Sequence, residues 1–280
     1  MKIVSFNVNS LRLRFHQLEA LIEKHQPDII GLQETKVTDE EFPVEIIQDF
    51  GYSVEYHGQK THYGVAIMSQ TPFDSVIKGL PGDTEDSQRR LITVSTTSHS
   101  GKQLTVSNGY FPNGEKRAHP TKFPDKEKFY QQLTEFFRKG YSSDQPIAVI
   151  GDFNIAPVDA DIGISEKSVK SWLSTGHVGF LPEEREWFEE LKSFGFDDTY
   201  RVKYPDSKEY LSWFDYRTRG FDRDPKSGLR IDHLLTTKPL TDCLVDSGMD
   251  YDIRAMEKPS DHAPVSVSYT HLTLPTTPYV

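Results

Sequence analysis

The run Ile147-Ala148-Val149-Ile150-Gly151-Asp152-Phe153-Asn154-Ile155-Ala156-Pro157 delivers a carboxylate and a carboxamide to the end of an apolar stretch. Four apolar residues rich in β-branched side chains read as a strand buried on both faces. Gly151 breaks the run, and on an extended backbone Asp152 and Asn154 project to the same side. Such a pair suits a phosphate or metal site. It also suits a turn, since Gly, Asp and Asn are ordinary turn residues. Similar polar exits recur at Asn7, Glu34, Tyr110, Asp232 and Asp261/His262. Each alone has a structural explanation, a solvated strand end for Glu34, a cap for Asp232 or a surface position for His262. Six together in an alternating chain describe one crevice at the strand ends.

The elements that must carry these residues follow from the apolar periodicity. Lys2 to Asn9 begins with a strand, and Leu11, Phe15, Leu18 and Ile22 recur at helical spacing until Pro27. Asp28 to Leu32 forms the next strand, completing a strand–helix–strand unit. Further strands are expected over Tyr63–Met68, Arg90–Thr96, Gln103–Ser107 and Leu240–Val245, with a last one opened by Ser260–Val265. Phe129, Leu133, Phe136 and Phe137 mark a helix before the central strand, and Pro182 starts another that runs to about Phe194. Between Pro157 and Pro182 the sequence looks irregular.

The 280 residues suffice for one large domain, expected over 1–268. No segment reaches the ~18–20 apolar residues of a membrane span. The N-terminal residues do not resemble a signal peptide. A single cysteine, Cys243, excludes an internal disulfide and a cysteine-rich zinc site, and makes the cytoplasm the default compartment. A net charge of −10 argues against a broad coat of nucleic acid but leaves room for a local basic groove. Residues 269–280, rich in threonine and proline, read as a non-native tail.

Gln33-Glu34-Thr35-Lys36, Gly109-Tyr110-Phe111-Pro112-Asn113-Gly114, Gly151 to Pro157, Arg230-Ile231-Asp232-His233 and Ser260 to Val265 resemble the motifs of the exonuclease III family. These are Mg²⁺-dependent abasic-site endonucleases of the endonuclease/exonuclease/phosphatase superfamily. The resemblance runs from Met1 to about Val267. It implies a four-layer α/β sandwich, with two packed mixed sheets flanked by helices. It further implies Asn7, Glu34 and Asp261 at a Mg²⁺ that Mn²⁺ can replace, Tyr110 and Asn154 on the scissile phosphate, Asp152 at the attacking water, and His262, held by Asp232, as a donor to a phosphoryl oxygen. The implied substrate is duplex DNA with abasic sites or 3′ ends, and the implied state is a monomer.

Elementary chemistry agrees with these roles. Phosphodiester hydrolysis brings a nucleophile to a centre shielded by anionic oxygens, so a divalent cation and preorganised donors are what it needs. Trp213, Phe214 and Leu229 have two readings, core packing or an apolar wedge at a missing base, with Arg217, Arg219, Arg223 and Arg230 near for phosphates. Two other functions compete: a superfamily phosphatase acting on inositol phosphates or lipid headgroups, and a nucleic-acid-binding module with a decayed site. The aromatic and arginine-rich stretch favours DNA over the former, and the complete set of polar exits disfavours the latter.

Overall fold

The computed structural model describes residues 1–98 and 101–270. In chain order its elements are β1 (Lys2–Asn7), α1 (Phe15–His25), β2 (Ile29–Gln33), α2 (Val44–Asp49), β3 (Ser53–His57), β4 (Val65–Ser69), β5 (Phe73–Lys78), β6 (Leu91–Thr97), β7 (Gln103–Tyr110), α3 (Lys122–Gly140), β8 (Ile147–Asp152), α4 (Glu166–Thr175), α5 (Pro182–Lys192), β9 (Phe196–Asp198), α6 (Thr199–Lys203), β10 (Asp232–Thr237), α7 (Lys238–Thr241), β11 (Leu244–Met249), α8 (Tyr251–Arg254) and β12 (Val265–Tyr269).

The strands form two six-stranded mixed sheets, ordered β11-β12-β1-β2-β4-β3 and β5-β6-β7-β8-β10-β9. Alternation along each strand assigns its side chains to two layers. Ala148 and Ile150 point between the sheets and meet Ile3, Ile29 and Ile67 of the first sheet. Ile147 and Val149 point outward against Leu133, Phe137, Phe188 and Leu191 of α3 and α5. On the first sheet Val4, Phe6, Ile30 and Leu32 pack outward on Leu18 and Leu21 of α1. The result is the expected α/β/β/α sandwich.

Two glycines set how closely these layers approach. A Cβ on Gly31 would stand 2.6 Å from Ile150 Cδ1 and 2.8 Å from Asn108 Oδ1. The space is used instead by a polar bridge between the sheets: Gln33 Nε2 donates to Asn108 Oδ1 at 2.6 Å, and Asn108 Nδ2 donates to the carbonyls of Leu32 and Ala66 at 2.9 Å. Gly151 lies at φ 144°, where a Cβ would run into the Gly109 carbonyl. Only glycine fits there, and the backbone turns at that point to aim the residues that follow.

Several expectations need correction. Leu240–Val245 is not one strand: Pro239 sits in the short helix α7, and β11 begins at Leu244. The irregular stretch after Pro157 contains α4, started by Ser165, whose Oγ accepts from Ser168 N, and ended by Gly176 at φ 68°. Val65, not Tyr63, opens β4. Tyr269, assigned to the tail, closes β12: it is buried and exchanges backbone hydrogen bonds with Met1 at 2.8 and 3.0 Å. Residues 271–280, the remainder of that tail apart from Thr270, lie outside the described residues.

Candidate active site

The site forms where both sheets end together. β1 and β2 run parallel and finish at Asn7 and Gln33, and β7 and β8 run parallel and finish at Tyr110 and Asp152. β10 runs antiparallel to β8 and starts here, with Asp232 opposite Asp152. β12, antiparallel to β1, is preceded by Asp261 and His262. Six strands from two sheets therefore deliver their polar ends to one place.

Asp152 is the junction. Its Oδ2 accepts from Asn7 Nδ2 at 3.0 Å, and the same amide nitrogen donates to Glu34 Oε1 at 3.0 Å. Its Oδ1 accepts from the backbone N–H of Asn154 at 3.0 Å. His262 Nδ1 is 2.8 Å from Asp232 Oδ2, and its Nε2 is 3.8 Å from Asp152 Oδ2. Burial, with Asp232 and Glu34 adding to it against the pull of His262, raises the Asp152 carboxyl to about 7. Burial works the other way on His262, yet Asp232, Asp152 and Asp261 outweigh it and lift the imidazole to about 10. The surrounding carboxyls favour the imidazolium form of His262, in which both ring nitrogens donate. Tyr110 stays a neutral phenol, because burial and the charges of Glu34 and Asp152 push its hydroxyl well above the ordinary range.

Donor atoms of Glu34, Asp152 and His262 lie within 4.8 Å of one another. A protonated imidazole does not ligate a metal, so the two carboxylates are the groups suited to a cation. Hard oxygen donors, few in number and open to water on one side, fit Mg²⁺ or Mn²⁺. Asp232, whose Oδ2 pairs with His262, has no hydrogen-bond partner for its buried Oδ1 among the described residues. Lys36, 2.9 Å from Glu34 Oε2, is the neighbouring counter-charge. The residues present fit a divalent cation.

Other expected residues take different positions. Asn7 faces the carboxylates with its amide nitrogen, while its Oδ1 accepts from Asn9 N at 3.0 Å. Asp261 lies outside the converging set: Oδ1 accepts from Asn9 Nδ2 at 2.9 Å and Oδ2 from Trp213 Nε1 at 3.0 Å. It therefore orients the tryptophan. Asn154 does not follow Asp152 on an extended backbone but turns at φ 53°, and its carboxamide bonds Phe111 O at 3.0 Å and Asn113 Nδ2 at 2.9 Å. Trp213 is half-buried, and its backbone pairs with Leu229. Phe214, expected on DNA, is fully buried, packed edge-on against Phe221 and Tyr251. Leu229 is buried too but lines the pocket. Arg217 and Arg219 are exposed and pair with Asp215 and Asp222. Arg230, proposed for phosphates, is instead locked between Asp161 and Asp198 with 1% side-chain exposure.

A pocket of about 230 Å³ joins these parts, lined by Glu34, Asp152, Asn154 and His262 together with Trp172, Val178, Trp213, Leu229 and Ile231. Trp172 and His177 were not legible as site residues: their rings stack at 3.9 Å, and they come from a stretch that lacked clear periodicity. Asn113 lay inside a quoted motif, yet only the fold shows that it braces Asn154. A second pocket of about 260 Å³ shares Glu34, Tyr110 and Asn113 and is bounded by Arg90, whose guanidinium lies over the rings of Tyr63 at 4.4 Å and Tyr110 at 4.8 Å.

Residues 4–262 match the model of the Endonuclease/Exonuclease/phosphatase family. The chain is 53% identical to the exodeoxyribonuclease III of Haemophilus influenzae over 95% of its own length and 98% of that protein. Among solved structures it resembles an AP endonuclease from Archaeoglobus fulgidus, with TM-score 0.87 and 32% identity over 96% of this chain and 99% of that one. It also resembles a 3′ phosphatase from Neisseria bound to a product DNA hairpin, with TM-score 0.86 and 37% identity over the same shares. Matching motifs, a shared sandwich and near-complete coverage make this chain a member of the Endonuclease/Exonuclease/phosphatase family, in its exodeoxyribonuclease III branch.

Proposed function

We propose that the chain is a Mg²⁺-dependent DNA-repair phosphodiesterase that cuts duplex DNA 5′ to abasic sites and trims or cleans 3′ ends. In this reading it acts as a monomer in the cytoplasm, and Mn²⁺ replaces Mg²⁺. The observation that carries it is the meeting, in one pocket, of the Glu34–Asp152 carboxylates with an apolar wall that includes Trp213. Carboxylates alone suit many phosphate substrates. An apolar wall beside them favours a sugar that has lost its base, since an intact nucleotide would have to fit its base there as well.

Glu34 and Asp152 would hold a divalent cation, which when bound would supply charge neutralisation at the phosphate. Asp152, held on both oxygens and raised toward neutrality, is poised to take the proton of the attacking water. His262, whose charged form the neighbouring carboxyls favour, suits a donor rather than that base. It donates from Nε2 to a phosphoryl oxygen as charge grows, while Asp232 fixes Nδ1. The Tyr110 hydroxyl and the free N–H of the Asn154 carboxamide are the further donors. Trp213, anchored by Asp261, presents its ring to the baseless deoxyribose, and exposed Arg217 approaches the backbone phosphates.

Incubation of a synthetic duplex carrying one abasic site tests this reading. Nicking on the 5′ side of the lesion in Mg²⁺, abolished by EDTA and restored by Mg²⁺ or Mn²⁺, is the expected result. An intact duplex in Mg²⁺, with release of phosphate from inositol phosphates instead, would overturn it.

A further inference from the structure

Behind the loops that line the pocket lies an ion pair without access to solvent. Lys126 of α3 and Glu184 of α5 both have 0% side-chain exposure, with Nζ 2.5 Å from Oε1. An ammonium has three hydrogens, and all three are used here. The other two go to the main-chain carbonyls of Asn113 at 3.2 Å and Asn154 at 2.9 Å. Glu184 turns its second oxygen to the backbone N–H groups of Gly179 at 2.7 Å and Leu181 at 2.8 Å. Two charges thus tie three chain segments: the one after β7, the one after β8 and the one entering α5. Asn113, Asn154 and Gly179 from these segments all line the catalytic pocket.

Stability alone gives little reason for such a pair. Desolvation of two charges offsets most of their attraction, and well-packed apolar residues usually do as well. α3 and α5 already meet through Leu133, Phe188 and Leu191. Apolar side chains cannot, however, hold a carbonyl in place. Asn154 adopts φ 53°, a left-handed conformation that asparagine tolerates better than most residues with a Cβ but that the surroundings must still hold. Its side chain is braced by Asn113 and its main chain by Lys126, so the same pair controls both carboxamides. Burial draws the Lys126 ammonium below its ordinary value against the opposing pull of Glu184, as expected where charges are held at an energetic cost.

We propose that Lys126 and Glu184 are positioning residues for phosphodiester cleavage, locking the backbone from which Asn113 and Asn154 present their carboxamides while touching neither phosphate nor cation. The proposal rests on the phosphodiesterase reading of this site. Lys126→Met combined with Glu184→Gln removes both charges at once and leaves neither buried alone. Single-turnover cleavage of the abasic duplex should fall about 100-fold, the effect of misplacing reacting groups by ~1 Å, while duplex affinity changes by less than about threefold. A lowered melting temperature with the wild-type cleavage rate per folded molecule would reduce the pair to a structural brace and overturn the proposal. Should the double variant not fold, Lys126→Met alone removes the donors to the Asn113 and Asn154 carbonyls, while Glu184 can take up a proton and still accept from Gly179 and Leu181; a fall of about tenfold in cleavage per folded molecule at unchanged affinity is expected, where a wild-type rate overturns the proposal. Failure of the wild-type protein to cut the same duplex would instead remove the phosphodiesterase reading itself.

Discussion

A histidine shut away from water normally loses its charge, because burial disfavours the imidazolium. His262 keeps it, since Asp232 touches one ring nitrogen and Asp152 faces the other. Its folded value of about 10 lies above the ordinary 6.5. The stability contributed by its charge is therefore complete below pH 6.5 and is lost as pH rises through 10. Asp152 is raised from 3.8 to about 7, so its ionisation costs stability progressively between those values and leaves the window above about pH 8 to His262. Urea midpoints measured in EDTA between about pH 8 and 10 should decline in the wild type and stay much flatter in His262→Gln. Parallel declines would mean that the buried histidine is neutral, and the donor role assigned to it would be lost.

At the scale of elements, β10 shows how one strand serves site and scaffold together. Asp232, at its first position, holds His262, whereas Arg230, two residues earlier, is clasped by Asp161 at 2.5 Å and Asp198 at 2.6 Å. Burial opposes the charge on both carboxyls, but Arg230 outweighs it and holds them below the ordinary carboxylate range. Depressed carboxyls stabilise the fold above their unfolded value near 3.8 and cease to do so as pH falls below it. Asp198→Asn should accordingly make the urea midpoint less sensitive to acid between about pH 5 and 2.5, whatever its effect at neutrality. An unchanged slope would show that the network contributes nothing to acid sensitivity. Strand ends such as Asp232 were visible in the sequence, because a polar residue closing an apolar run stands out. The fate of Arg230 was not, since Asp161 lies 69 residues away and nothing local distinguishes a clasped arginine from a free one. Phe214 and Trp213 posed the same difficulty: adjacent aromatics on a loop look alike until tertiary packing buries one and leaves the other facing the pocket. The Lys126–Glu184 pair, 58 residues apart, was equally hidden, and Asn154 was misread because only its left-handed turn, not its spacing, decides where it points.

Across the whole molecule, the site exists only because two sheets are held in register. Asn7 and Glu34 come from one, Asp152, Tyr110 and Asp232 from the other, and the Gln33–Asn108 bridge pins them together just below. Net charge of −10 argues against a general coat of DNA on this surface, so the proposed reading assigns recognition to the pocket and the exposed arginines on the loop beside it. Asp152 is where the two half-sites touch, and its proposed work is done when water attacks rather than when DNA binds. Asp152→Asn retains the shape but removes the charge and the proton acceptor. Single-turnover cleavage and a binding titration, both on a duplex with one abasic site in Mg²⁺, test this most directly. Cleavage should fall by several orders of magnitude, on the order of 10³-fold or more, while affinity holds or tightens as repulsion from the phosphate is relieved. Near-normal cleavage by the variant would contradict the assignment of Asp152 as the group that activates water.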